Sequence, residues 1–390
     1  MQQIIFWLSA ASFIIVAIMR ITDPILPIIA SDFELTVGAT SIIVTAFAIP
    51  YGLFQLVLGP LGDRLGKLNV IVVSLGVSCL LTIACAAASS IETLTAFRFM
   101  TGIATAAIVP LSMAFIADHY AYEIRQPVIA RYLSGIILGQ IVGGSLGGIM
   151  ADAFGWRAIF YVFGILAGGM TYFVWRYSHH YRETLRPTPL HGLQMFIPYI
   201  ALLRQREARH IAITASIEGF FFYAGGAFIG AFLHEQYSLS YAWVGLLLAC
   251  FGIGSLIYSY TAKLIVPSLG ERRMVIIGSL TISCCYFGFA FAPSWQICIP
   301  IMIVCGFGFY VMHNTLQTLA TELAPSARGT AVALFVFSLM IGQGAGVAFF
   351  GRIIDRFGYT IAFQMIAVAL VCLGFWFQRK LKTTDRTIAI

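Results

Sequence analysis

Residues 59–67 read GPLGDRLGK, a polar turn punctuated by Gly59, Gly62 and Gly66 and set between two apolar runs, 39–61 and 69–90. Each run is long enough to cross a bilayer. The turn carries three charges, Asp63, Arg64 and Lys67, where its flanks carry none. An ion in hydrocarbon costs several kcal/mol, so the turn is expected at a membrane surface, with its glycines letting the two flanking helices close tightly around it.

Working outward, the whole chain has the same character. Of its 390 residues 60% are hydrophobic and 10% charged, and the mean hydropathy is +0.91. A soluble core needs far less apolar sequence, so the class is integral membrane and all-α. The formal charge of +7 does not point to nucleic acid, because the basic residues are scattered over short connections and not gathered on one helix face. All eight cysteines (Cys79, Cys85, Cys250, Cys284, Cys285, Cys298, Cys305 and Cys372) fall inside apolar segments without metal-ligand spacing, and are expected to be buried packing residues.

Twelve apolar runs of about 20 residues are legible, at 4–30, 39–61, 69–90, 93–117, 127–150, 156–177, 210–233, 241–266, 274–292, 295–320, 329–351 and 359–378. The first leads into Pro-Ile-Leu-Pro and is expected to be kept as a helix, not cleaved. Arg157, Arg352 and Arg356 lie on one face, Arg20 and Arg98 lie inside runs, and the remaining eighteen of the 23 Lys/Arg lie on the other face. Positive charge favours the cytoplasmic side, which places both termini there. The connection His179–Arg209 separates six runs from six, giving a first bundle over 1–178, a cytoplasmic linker over 179–209 with an amphipathic surface helix from Leu193 to Leu203, and a second bundle over 210–390. A shift of 203 positions matches Arg125 with Arg328, Ala130 with Ala333, Gly139-Gln140 with Gly342-Gln343, Gly143 with Gly346, Gly148 with Gly351, Asp152 with Asp355 and Phe154-Gly155 with Phe357-Gly358. One ungapped register with this many matches is an internal repeat, and it makes the halves pseudo-symmetric.

The opening turn resembles the G-x-L-x-D-R-x-G-R/K loop between the second and third helices of major facilitator superfamily transporters, filled here by Gly59, Leu61, Asp63, Arg64, Gly66 and Lys67. Arg98 and Gly102 are similar to the R-x-x-x-G signature of the fourth helix. Gly139-x-x-x-Gly143-Gly144-x-x-Gly147-Gly148 is similar to an antiporter signature in which a proline stands at the position of Gly144. Pro24 and Pro27 resemble the drug/proton antiporter branch. The resemblance implies twelve helices in two pseudo-symmetric six-helix bundles, a central cavity lined by the first, fourth, seventh and tenth helices, and an Asp63 that meets the start of the eleventh helix near Ser326 to Gly329, with Asp118 pairing to Arg64 or Lys67. The glycines alone also suit close helix packing without any role in transport.

Ionisable residues inside the runs are the candidates for chemistry. Arg20 and Asp23 share one helix face at i, i+3 spacing, Arg20 comes to a depth similar to Arg98 with Asp23 nearer the surface, and the three are expected in one charge cluster. They form either a substrate or proton site or a static pair locking two helices. In the second half Glu218 and His313 lie at matching depths. Ionisation is favoured between guanidinium groups and disfavoured among apolar side chains, so Glu218, with apolar and aromatic sequence neighbours, is expected to exchange the proton, while Asp23 serves substrate or gating. His313 is either its partner or a packing residue. Phe221 and Phe222 are candidates to line the cavity and fit lipophilic ligands. Gln140 and Gln343 either join them or bond between helices.

No nucleotide-binding loop, metalloprotease motif or nucleophile elbow occurs in the sequence, so no cofactor or metal is expected and the chain reads as a transporter and not an enzyme. The expected partners are a small-molecule substrate, protons and the lipid bilayer of a bacterial-type inner membrane, with no nucleic acid and with the chain acting as a monomer. The expected activity is proton-coupled export of small lipophilic or amphipathic compounds. The alternative is a proton-coupled importer or facilitator of a small polar metabolite, such as a sugar or organic acid.

Overall fold

The structure is a computed structural model that describes residues 2–120, 122–181, 195–323 and 328–380. Among these every regular element is a helix, and ten helices are long and apolar enough to cross a membrane. Two of the ten run for 51 residues. At about 1.5 Å per residue that is more than twice the about 30 Å of a hydrocarbon core, so each must turn back on itself.

The turning device is a single glycine. Gly66 (φ 92°, ψ 128°) separates α4 (Ile42–Leu65) from α5 (Lys67–Ala86), and Gly155 (φ 77°, ψ 162°) separates α8 (Tyr122–Phe154) from α9 (Trp156–Ser178). Gly270 (φ 68°, ψ 163°) breaks α13 (Tyr241–Phe291) and Gly358 (φ 81°, ψ 171°) breaks α15 (Arg328–Lys380). Positive φ with an extended ψ is a region that a Cβ essentially closes, and at each elbow the chain reverses without a loop. Gly155 and Gly358 are one of the matched pairs of the repeat.

Several apolar runs are less regular than their composition implies. The first is α1 (Gln2–Arg20), a turn over 21–25, and α2 (Leu26–Asp32). Pro24 has no N–H for the Arg20 carbonyl, which takes the amide of Asp23 instead at 3.1 Å. The chain then passes through α3 (Val37–Thr40) into α4. The run at 93–117 divides into α6 (Ile91–Thr105) and α7 (Ile108–His119), because Pro110 leaves the Ala106 carbonyl without its helical donor. The run at 210–233 is α11 (Arg206–Glu218), a π-helical turn at Gly219–Tyr223, and α12 (Ala224–Tyr237). α14 (Trp295–Glu322) is continuous.

Glycines set how closely these helices pack. A Cβ at Gly139 would collide with the Phe13 carbonyl of α1, and one at Gly148, on another edge of α8, with the Tyr241 carbonyl of α13. Gly342 and Gly346 repeat the first arrangement against Ser216 of α11 and Phe220. The linker helix is α10 (Ile197–Arg204), with Tyr199 and Leu202 packed on Leu56, Ala331 and Leu334. Its expected start at Leu193, most of the linker before it, the tail beyond Lys380, and the side chains of Arg125, Ala130 and Arg328 lie outside the described residues. The cysteine expectation needs correction, since Cys284 and Cys372 are exposed on outward helix faces.

Candidate functional site

A cavity forms where α1, α8, the π-helical turn, α13 and α14 meet. Its wall is mostly aromatic and aliphatic, with Arg20, Asp23 and Gln140 as polar members beside Phe222, Tyr223 and Phe309. Its volume is about 100 Å³, smaller than the roughly 300–1,000 Å³ of sites that hold drug-sized molecules. A large ligand therefore requires the walls to part.

Two side-chain pairs stand at this cavity in different ways. Arg20 Nη1 lies 3.4 Å from Asp23 Oδ2, the guanidinium sits 5.1 Å from the centre of the Tyr223 ring, and Asp23 Oδ1 is buried without a hydrogen-bond partner. Both residues line the cavity. Glu218 and His313 do not, although the structure brings them together at 2.9 Å between Oε1 and Nδ1. Glu218 is 0% exposed, and among the described residues its Oε2 has no partner. The His313 ring stacks on Phe309 at 4.8 Å and meets Tyr223 edge-on at 6.2 Å. Tyr223 is thus the wall between the two pairs, with Arg20 over its ring and His313 at its edge. The local reason is the π-helical turn: an extra residue in one turn re-aims the side chains that follow Glu218, a feature frequent at functional sites.

The remaining intramembrane candidates lie elsewhere. Arg98 is 1% exposed and outside the cavity lining, donating Nη1 to the Ile18 carbonyl at 3.0 Å and Nε to the Ile43 carbonyl at 3.4 Å, with its guanidinium over Phe47. It joins α6 to α1 and α4. Phe222 and Gln140 line the cavity, whereas Phe221 packs on Phe220 and Phe350 and Gln343 is buried with Oε1 unpartnered. Tyr310, Phe251 and Ser255 also line it. Sequence reasoning passed over them because nothing in an apolar run marks which azimuth of a helix faces the interior.

At the face bearing Gly66, here the near face, Lys67 Nζ lies 2.9 Å from Asp63 and 2.8 Å from Asp118. Arg64 is exposed, Gly62 packs against Leu111, and Gly59 is open. The expected contact of Asp63 near Ser326 to Gly329 falls largely on residues outside those described. On the far face two aspartates whose roles the sequence did not reveal reach between halves. Asp152 accepts from the amides of Tyr241 (3.0 Å) and Ala242 (2.7 Å), and Asp355 accepts from the Gly38 amide (2.9 Å) and the Thr36 hydroxyl (2.7 Å). The signal for them is the spacing Asp-x-x-Gly, shared by Asp63/Gly66, Asp152/Gly155 and Asp355/Gly358.

Among the described residues, ten apolar helices long enough to span a bilayer, several of them reversing or broken at glycine elbows, enclose a cavity with charged groups in its wall. The chain belongs to the major facilitator superfamily, whose family model matches residues 8–347. It is 25% identical over 362 residues to the uncharacterized MFS-type transporter YceJ of Bacillus subtilis, covering 89% of each chain. It is 24% identical over 361 residues to the inner membrane transport protein YnfM of Escherichia coli, covering 91% of this chain and 85% of that one. Among solved structures, the peptide transporter POT in complex with sulfate superposes with a TM-score of 0.81 at 14% identity over 97% of this chain and 94% of that one. At that identity the likeness bears on the fold. The protein is therefore a multi-pass membrane transporter.

Proposed function

We propose that this transporter exchanges protons for small lipophilic or amphipathic compounds, exporting them across a bacterial-type inner membrane in the manner of the drug/proton antiporter branch. The helices make twelve crossings, six in 1–178 and six in 210–390 around the linker 179–209, with both termini cytoplasmic, and the chain works as a monomer. The bundles rock about the cavity, so that it opens to one side at a time.

The observation that carries this reading is the Glu218–His313 pair, buried beside the cavity with His313 against the rings of Tyr223 and Phe309 that line it. Intramembrane ionisable groups default to function, and a carboxyl that meets an imidazole across two helices changes its surroundings whenever those helices separate. Glu218 lies on α11 and His313 on α14. When they part the carboxyl loses the imidazole, and when they close it regains it. That alternation takes up a proton on one side and gives it up on the other. Asp23, in the cavity wall, belongs to substrate handling.

The test is reconstitution in liposomes under an imposed pH gradient, screening lipophilic cations, drugs and sugars for counter-movement of protons. Glu218→Gln is expected to abolish pH-driven transport while leaving energy-independent exchange measurable, and Asp23→Asn to damage both. Full proton coupling in Glu218→Gln would transfer the role to Asp23. If both variants keep it, neither carboxylate carries the proton and the assignment fails; solute movement in the parent without proton movement would make the protein a facilitator.

A further inference from the structure

We propose that the ligand of the central cavity is an organic monoanion, a carboxylate on a small aromatic or aliphatic body, and that Arg20 is its counter-ion. This rests on the transporter reading of the same cavity and adds the charge of the ligand. The first support is what Arg20 leaves unused. A guanidinium has five N–H donors in a planar fork that matches a carboxylate. Among the described residues, those of Arg20 make one contact, to Asp23 at 3.4 Å, well beyond the about 2.7–2.9 Å of a strong charge-assisted bond. The second support is what Asp23 withholds. Its Oδ1 is closed off in the wall and its Oδ2 is turned to Arg20, so one carboxylate oxygen is hidden from a ligand and the other is shared with the guanidinium.

The other polar groups agree. Among the described residues the Gln140 amide and the hydroxyls of Tyr223 and Tyr310 make no hydrogen bond, and each can donate to a carboxylate. Arg98, within the same bundle, donates Nη1 and Nε to the carbonyls of Ile18 and Ile43, keeps a buried Nη2 without a partner among the described residues, and lies outside the cavity. One intramembrane arginine ties helices together away from the cavity and the other stands in the cavity wall. Around that space Phe222 and Phe309 stack at 4.4 Å with Phe251 5.7 Å from Phe309, a surface for a flat apolar body. A cationic ligand would meet the guanidinium in the cavity wall, and a sugar would lack partners for most of its hydroxyls.

The experiment uses the full-length purified protein and three single-ring probes of nearly one shape: benzoate, neutral benzamide and cationic benzamidinium. Radiolabelled benzoate is expected to bind saturably, with benzamide at least about tenfold weaker, the discrimination that losing a charge-assisted bond implies, and benzamidinium not competing. Arg20→Lys keeps the charge but loses the fork and is expected to weaken benzoate about tenfold, and Arg20→Gln more. If Arg20→Gln does not fold, judged by size exclusion and thermal unfolding, the probe series on the parent and Arg20→Lys decide the matter. Benzamide or benzamidinium binding as well as benzoate, no benzoate binding, or an Arg20→Lys variant that binds like the parent would each overturn the proposal. In liposomes, proton-driven movement of a lipophilic cation with no benzoate binding sinks the anion and keeps the transporter reading. Benzoate binding with no solute movement under any gradient does the reverse. The direction in which protons move with benzoate tests the coupling and not the charge of the ligand.

Discussion

On the far face Asp152 and Asp355 each reach from one half of the molecule to the first turn of a helix in the other, whereas on the near face Asp63 turns back to Lys67 of its own half. The three residues stand at the same place, three positions before a glycine elbow. The far-face contacts have one design. Thr36 and Ser240 cap their helices by accepting from Ala39 and Trp243, and an aspartate of the opposite bundle takes amides that these caps leave unpaired. The first amides of a helix have no partner within it, and a carboxylate there also meets the positive end of the helix dipole. Among the described residues, one local motif therefore reaches between the halves on one side and stays within a single half on the other. In this state the far face is bridged.

The largest effect should come from removing both bridges. Each cap is worth on the order of 1 kcal/mol, so Asp152→Ala with Asp355→Ala removes about 2 kcal/mol from the far-closed state, a shift of roughly thirtyfold in its ratio to the far-open state. Spin labels on the two halves at the far face should report the longer distance in the double variant, with each single variant between it and the parent. The caps lie far apart and share no partner, so the free energies should add. If the double variant keeps the parent distance distribution, the aspartates are surface caps and the contrast between the faces is one of position only.

Much of this was legible and the rest was hidden for definite reasons. The elbow at Gly66 stood out because charge surrounds it, and the pairing of Gly155 with Gly358 came from the repeat. Asp152 and Asp355 were matched there too, but their partners near residues 241 and 38 are distant in sequence, and a match shows equivalence without showing contact. The depths of Glu218 and His313 could be counted along their helices, and the pair forms. The depth of Arg98 was equally countable, yet it points between helices to carbonyls and not into the cavity, since helix rotation leaves little trace in a uniformly apolar run. The split at Ala106 could have been read from Pro110, a donor missing four residues on.

A smaller effect, of opposite sign, is expected at the near face. Asp63→Asn removes one of two carboxylates on Lys67 while Asp118 stays at 2.8 Å, and exposed pairs are worth about 0–1 kcal/mol. The contact that the family resemblance gives Asp63, with the start of α15, would hold the near face closed. Its loss should move the population by no more than about fivefold toward near-open states, lowering turnover with little loss of folded protein. Cysteine probes with the same accessibility on both faces in variant and parent would count against a gating role and leave Asp63 as a brace for Lys67.

The smallest effect separates position from connection. Asp32 also sits on the far face, but its partner, Arg157 at 2.6 Å, belongs to the same half. The Arg157 guanidinium holds the Asp32 carboxyl below its ordinary value of 3.8, outweighing the opposing effect of partial burial. A carboxyl with a lowered folded value contributes stability that is present above 3.8 and lost as pH falls through the lowered value, so the loss lies at acid pH and none is expected near neutrality. Both side chains are 41% exposed, and the pair is worth a few tenths of a kcal/mol at most, about what screened surface pairs give. Asp32→Asn should therefore lower thermal stability slightly at neutral pH, with the difference from the parent shrinking in acid, and should leave the far-face distance between the halves unchanged. A shift in that distance as large as the one from Asp152→Ala would mean that any far-face carboxylate sets the gate, and the distinction between bracing a half and bridging two would fail.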